Sequence, residues 1–262
     1  MRIAVIGSGV SGLGAAWALQ RVHEVTLFEA AGRPGGHANT VTAEIDGRAV
    51  DVDTGFIVYN VANYPNLVRL FSELGVATEE TDMSFGFSAA GGRLEYSGSP
   101  RGLVAQPANL LRPAYWRMLR DVARFFRTAE ALLDEADAEA LSLRDWLDRE
   151  GYSAAFRDHH LLPMGAAIWS STPAHMLDFP AASFVRFFRN HALLDLAGRP
   201  AWRTVSGGSR RYVERIAASL GDRLRTGCPV TRVQRHAGGI DIATERGAAG
   251  RFDAVVLATH AD

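Results

Sequence analysis

The sequence predicts an α/β chain in which a parallel sheet flanked by helices is interrupted by a mainly helical insertion. Three observations predict it. A glycine-rich turn joins an apolar run to a small-residue segment within the first 19 residues, and a second apolar run ends on the acidic residue at position 29. Between residues 97 and 200 the apolar period changes from that of strands to that of helices. Residues 1–85 and 200–262 are therefore read as one discontinuous domain, and 86–199 as a helical substrate or cap domain set into it.

Composition narrows the class. The 262 residues are 47% hydrophobic and 22% charged, which suits one large core or two smaller ones and argues against disorder. Against 29 acidic residues stand 28 basic ones, a formal charge of -1, so no overall field favours nucleic acid. The single cysteine, Cys228, excludes an internal disulfide and a thiol relay; beside Pro229, at the start of an apolar strand, it reads as a packed thiol. No apolar run approaches the roughly 20 residues that span a bilayer. The first strand starts directly after Met1, with no room for a signal peptide, so the expectation is a cytoplasmic protein.

The elements follow in order. Ile3-Ala4-Val5-Ile6 is a strand, Gly7-Ser8-Gly9-Val10-Ser11-Gly12 a tight turn, and the small residues through Leu19 a helix. Gly7 suits the sharp turn, Gly9 the approach of backbone to a pyrophosphate, and Gly12 the close packing of helix on strand. Phosphates would meet the free amides and the positive end of the helix dipole. A second strand, 24–28, ends in Glu29, about 20 residues after the glycines as the dinucleotide fingerprint requires. A carboxylate there accepts from an adenosine ribose and repels a 2′-phosphate, so the outer domain is expected to be Rossmann-like and not an NADP site.

Ala30-Ala31-Gly32-Arg33-Pro34-Gly35-Gly36-His37 then makes a second glycine-rich turn, which a simple dehydrogenase does not need. Alternating residues at 40–45 and 48–52 flank Asp46-Gly47, a hairpin signal, and Asp53-Thr54-Gly55-Phe56 follows. After the insertion, a strand at 202–205 leads through Ser206-Gly207-Gly208-Ser209 into a helix over 210–220. Strands at 229–233 and 252–257 come last, the second running into Ala258-Thr259-His260.

In this order along the chain, these motifs resemble the signature of the flavin-containing amine oxidase and phytoene desaturase superfamily, nearest to bacterial NAD/FAD-binding, amine-oxidase-like proteins of unassigned substrate. The resemblance covers about residues 1–85 and 200–262. It implies FAD, contacted by Gly7, Ser8, Gly9, Val10, Ser11 and Gly12, by Glu29 and Ala30, and by Arg33, Gly35, Gly36 and His37. It adds Thr54 and Gly55 under the flavin ring, Val230 beside adenine, and Ala258 with Thr259 near the diphosphate. An arginine or lysine commonly follows the glycine pair in the family; His37 stands there in this chain. Relatives continue past this length, so the resemblance also implies a carboxy-terminally incomplete chain. An open flavin side with apolar surface exposed beside Gly55 and the last strand is the corresponding expectation.

Within the insertion, Pro113 opens a long helix expected to run towards Asp137, with Tyr115, Leu119, Val122, Phe126, Ala129 and Leu133 as its apolar face. Ser142 with Asp145 marks a capping box for a helix through Glu150, and another helix is expected over 181–194. Trp169, Phe179, Phe184, Phe187 and Phe188 read as core, with a wall for an apolar substrate as the other reading. His159 and His160 are adjacent and point apart on a helix, without a suitably spaced carboxylate, so neither a catalytic role nor a metal site is assigned. Arg117, Arg120, Arg124 and Arg127 share a helical face; it reads as a solvated stripe, with weak peripheral contact to anionic lipid as the alternative.

The expected activity is oxidation or desaturation of a small organic molecule, apolar in one reading, by hydride transfer to flavin in a crevice between the two domains. A non-redox flavin isomerase or mutase, and a nucleotide-binding module without catalysis, are the alternatives. No catalytic acid or base is identified in the sequence.

Overall fold

This computed structural model describes residues 1–195 and 200–260; the expected domain boundary at residue 199 lies outside them. The chain divides into two compact units, one of residues 1–81 with 201–262 and the other of residues 82–200.

The first unit begins with β1 (Arg2–Ile6), whose last four side chains are all buried. A parallel strand covered on both faces reads as a continuous apolar run, which is why no alternation marks it. β1 turns through Gly7 into α1 (Val10–Leu19), and β2 (Glu24–Phe28) returns parallel to it with Val5 opposite Leu27. β3 (Thr40–Ile45) and β4 (Arg48–Asp53) form the expected hairpin, with Asp46 and Gly47 at φ 50° and 71° as a two-residue primed turn requires. β5 (Tyr59–Asn60), α2 (Pro65–Leu74) and β6 (Thr78–Thr81) complete this stretch.

The second unit opens with the hairpin β7 (Gly86–Ala89) and β8 (Leu94–Ser97) and is helical thereafter. Its helices are α3 (Pro100–Leu103), α4 (Pro113–Thr128), α5 (Leu143–Arg149), α6 (Ala154–Phe156), α7 (Leu162–Trp169), α8 (Pro173–Leu177) and α9 (Ala181–Asn190). Two expectations are corrected here. α4 stops at Thr128 and tightens into a 3-10 turn over Ala129–Asp134, so it does not continue towards Asp137. α9 ends at Asn190, short of 194, because Ala192 takes a left-handed φ of 53° that no helix continues through.

The buried face of α4 also differs from the expected one. Tyr115, Met118, Asp121 and Phe125 are buried, while Leu119, Val122 and Phe126 only pack against the core from its edge. Asp121 is inside because its carboxylate accepts the Ser153 N–H at 3.0 Å, at the start of α6. Ser142 caps α5 as expected, accepting from the Asp145 N–H at 3.1 Å. The aromatic residues of α7 and α9 pack on one another, Trp169 tilted against Phe187 at 4.6 Å and Phe184 stacked on Phe188 at 4.5 Å, and contribute to this unit's core.

The chain returns to the first unit with β9 (Trp202–Val205), which pairs with β5 and β6, and continues into α10 (Arg210–Leu220). β10 (Leu224–Arg225), β11 (Val230–His236), β12 (Gly239–Thr244), β13 (Gly247–Phe252) and β14 (Ala254–Leu257) follow. The parallel sheet has the order β10-β2-β1-β14, and β11-β12-β13 is a separate antiparallel meander. This is a Rossmann-like α/β fold. α10 is seated by the hairpin: the Asp53 carboxylate accepts the Ser209 N–H at 2.9 Å, and Thr40 Oγ1 accepts that of Arg210 at 2.9 Å. Acceptors at a helix start satisfy donors that the helix cannot.

Candidate functional site

A cleft of about 1320 Å³ lies within the first unit, where the carboxyl ends of β1, β2 and β14 meet the start of α1. Ligand sites gather at this end of open parallel sheets. Gly7, Ser8, Gly9, Val10, Ser11, Glu29, Ala30, Gly35, Gly36, His37, Val230, Ala258 and Thr259 all line it. Phe56, Cys228 and His260 line it as well, and cleft walls that the sequence did not single out come from Trp17, Arg21, Tyr64, Arg69 and Tyr212, in or beside α1, α2 and α10. These residues converge only through tertiary packing and leave no local pattern.

The glycine loop divides its tasks. A Cβ on Gly12 would stand 1.8 Å from the Gly7 carbonyl oxygen, so this position is glycine for the sake of helix-on-strand packing. It does not line the cleft. A Cβ on Gly9 would meet no protein atom within 4 Å, so nothing in the protein's own packing requires glycine there. Gly9 is also the N-cap of α1 and offers no side-chain acceptor. The first amides of α1 thus have no capping side chain, an arrangement suited to an anion.

Glu29 follows β2 directly and is held in place. Its carboxylate accepts the Ser8 N–H at 2.9 Å, the Ser8 hydroxyl, and the Ala31 N–H at 2.7 Å. Burial alone would raise its pKa, but the bonds from the Ser8 hydroxyl and the Ala31, Ser8 and Ala30 backbone outweigh it and hold the carboxyl below its usual range. It is an anion at neutral pH. Ser8, with 0% exposure, spends both donors on Glu29, so its part is to fix the carboxylate.

The second glycine turn is latched to the first, with the Gly35 N–H donating to the Ser8 carbonyl at 2.9 Å. Arg33 does not line the cleft; its guanidinium donates to the Gly36 carbonyl at 3.2 Å. Thr54 and Gly55 do not line it either. The Thr54 hydroxyl donates to the Asn39 carbonyl at 3.1 Å, and a Cβ on Gly55 would lie 2.2 Å from the His37 carbonyl oxygen. Backbone therefore passes close beneath His37, whose ring leans on that of His260 at 5.5 Å. Arg21, just past the end of α1, and Arg69 on α2 both pair with Glu73, at 2.5 and 2.9 Å.

Burial raises the pKa of the Tyr64 hydroxyl, and burial with the Asp53 charge raises that of Tyr212. Both stay protonated at neutral pH. Among the described residues, no group of three or more His, Cys, Asp or Glu side chains could hold a metal ion.

The same chain matches the profile of flavin-containing amine oxidoreductases over residues 10–262. It belongs to that family. The candidate flavin-containing monoamine oxidase AofH of Mycobacterium tuberculosis is 28% identical over 259 residues, which is 94% of this chain and 54% of AofH. The L-amino acid dehydrogenase of Synechocystis is 24% identical, over 98% of this chain and 55% of that protein. A triple mutant of putrescine oxidase superposes with a TM-score of 0.65 at 25% identity, covering 98% of this chain and 57% of its own. This family member thus spans about half the length of the curated relatives it matches.

The family is flavin-containing, and FAD fits the cleft of this member. Its volume exceeds the roughly 300–1,000 Å³ of drug-sized ligand sites, as an extended dinucleotide requires. An uncapped helix start and an ionised carboxylate stand in the same cleft, one for phosphate and one for ribose hydroxyls.

Proposed function

We propose that this chain forms the FAD-holding part of an oxidoreductase that acts on a small organic molecule, with amines as the first class to test. The observation that carries this reading is the pairing in one cleft of the uncapped α1 start, at Gly9, with the fixed anionic Glu29. When bound, FAD supplies the hydride-accepting chemistry.

In this reading Gly9, Val10 and Ser11 present backbone amides to the diphosphate, and Gly35 and Gly36 close on it from the other side. Glu29 accepts from the adenosine ribose, while Val230, Ala258 and Thr259 border adenine and diphosphate. Ser8 fixes Glu29 from within the cleft wall, and Gly12, Arg33, Thr54 and Gly55 support these groups without lining the cleft. Every named residue binds or orients, and proton transfer is assigned to none of them. The family's description as oxidoreductases gives the isomerase alternative no support.

Flavin absorbance retained through gel filtration tests the cofactor, and anaerobic bleaching by amines or amino acids tests the substrate class. Glu29→Ala is expected to weaken FAD retention by about 1–3 kcal/mol, the range for a hydrogen bond to a charged group. Unchanged flavin content in that variant overturns the role given to Glu29.

A further inference from the structure

The helical unit carries a basic surface that the proposed chemistry does not use. Between Glu95 and Glu130 the sequence holds six arginines and a single acidic residue, Asp121. That carboxylate is turned inward, 2% exposed, onto the Ser153 N–H. Two of the arginines are also drawn back into the unit. Arg124 lies 3.8 Å over the Tyr152 ring and donates to the Glu150 carbonyl at 2.8 Å, and Arg112 donates to the Arg93 carbonyl at 2.6 Å. Arg101, Arg117, Arg120 and Arg127 remain exposed.

Large apolar side chains stand among them. Leu111 is 85% exposed, Trp116 54% and Val104 52%. On α4, Trp116, Arg120, Ala123 and Arg127 recur at intervals of four, three and four residues and so form one stripe, opposite the buried Tyr115, Met118 and Phe125. The Trp116 indole N–H donates to the Leu110 carbonyl at 2.8 Å. This bond ties the ring to the 3-10 turn Pro107–Leu111, which carries Leu111. Arg120 approaches Asp121 only at 3.9 Å and keeps its guanidinium in solvent, 75% exposed.

A purely solvated basic stripe has no use for a leucine and a tryptophan projecting from it. Cations interleaved with an aromatic and an aliphatic wedge are what interfacial segments offer to anionic lipid. We propose that the turn Pro107–Leu111 and the Trp116, Arg120, Arg127 stripe of α4 dock on the surface of an anionic phospholipid bilayer. The arginines meet phosphate headgroups while Trp116 and Leu111 enter the headgroup layer. With a chain formal charge of -1, this attraction belongs to the face and not to the protein as a whole.

The test is co-sedimentation of the full chain with phosphatidylcholine vesicles, with and without phosphatidylglycerol. Partitioning is expected only with phosphatidylglycerol, falling as salt is raised. Each surface arginine contributes about five-fold to partitioning, so the double reversal Arg120→Glu with Arg127→Glu should lower it by more than about a hundred-fold. Leu111→Ser should lower it several-fold at unchanged melting temperature, because that side chain is 85% exposed. Brominated lipid should quench part of the tryptophan fluorescence of the parent and less of it in Trp116→Phe. Equal partitioning with and without phosphatidylglycerol, or a charge-reversed variant that sediments like the parent, overturns the proposal. So does binding to heparin with none to vesicles, which would make the face a site for soluble polyanions.

Discussion

The two units of this chain are built on different physics. In the unit of residues 1–81 and 201–262, loops far apart in sequence are tied by hydrogen bonds to backbone groups: Ser8 to Glu29, Gly35 to Ser8, Ser209 to Asp53, Ala258 to Ile6. In residues 82–200 the interior is aromatic, and Phe125 packs its ring against those of Trp146, Tyr152, Phe156 and Phe188 at 5.6–6.2 Å. A backbone-tied site demands particular residues at particular positions. An aromatic core demands volume and a period, and many sequences provide those.

The largest test of this contrast removes a ring. Phe156 is 0% exposed and packs on Tyr152 at 4.9 Å and Phe125 at 5.6 Å. Phe156→Ala should cost about 3–5 kcal/mol of stability through lost transfer energy and the cavity left behind. Flavin content measured below the melting transition should stay at the parental level, since the cleft is lined by the other unit alone. Flavin lost in step with stability would break the separation.

Acid tests it next. Burial pushes the His160 imidazole from 6.5 down to about 4, with its ring between Phe156 and Phe85 and its Nδ1 2.9 Å from the Tyr96 hydroxyl. Between those two values the unfolded chain binds a proton that the folded chain refuses, so stability falls as pH drops from 6.5 towards 4 and is level above 6.5. The full loss is on the order of 3 kcal/mol. Glu29 behaves in a lower window: its folded pKa is depressed, so its contribution is present above the unfolded value of 4.5 and is lost below it. Calorimetry from pH 7.5 to 4.5 should show a sloping melting temperature in the parent and a flatter one in His160→Phe. Equal slopes would remove His160 as the acid-sensitive group.

This contrast also governs what could be read from the sequence. Gly7 to Gly12, Glu29 and Asp46-Gly47 are legible because turn geometry, helix start and strand end are decided by neighbours in the chain. The sequence does not show that Arg124 is drawn off the lipid-facing stripe, because its seat on Tyr152 lies 28 residues away and depends on how α4 meets α6. Burial of Asp121 rests likewise on the distant Ser153, which is why the apolar period alone places the inner face of α4 too far towards Leu119 and Phe126. Ser8 holding Glu29 could have been suspected from the spacing of strand ends, but a serine in a glycine loop has many other uses. Trp17, Tyr64 and Tyr212 reach the cleft from helices whose relative placement no local signal records.

The smallest expected stability change is also the sharpest probe of the backbone-tied unit, and it comes from two glycines three residues apart. At Gly12 an added Cβ would sit 1.8 Å from the Gly7 carbonyl oxygen, and since that oxygen is backbone and the Cβ position is set by backbone no rotamer change can relieve the clash. Gly12→Ala must separate α1 from the turn, at a cost of about 1–3 kcal/mol or more, and it should lose stability and flavin together. At Gly9 the same methyl group meets nothing within 4 Å, and the backbone, at φ -62° and ψ 178°, is open to any residue. Gly9→Ala should therefore change stability by about 1 kcal/mol or less, the difference between glycine and alanine at an N-cap. Its methyl group would nevertheless occupy space at the mouth of the α1 amides, where the diphosphate is proposed to lie. Flavin retention should fall while the melting curve of the flavin-free chain stays in place. Parental flavin affinity in Gly9→Ala would mean that the diphosphate does not approach this backbone, and the anion site would have to be sought elsewhere along the cleft.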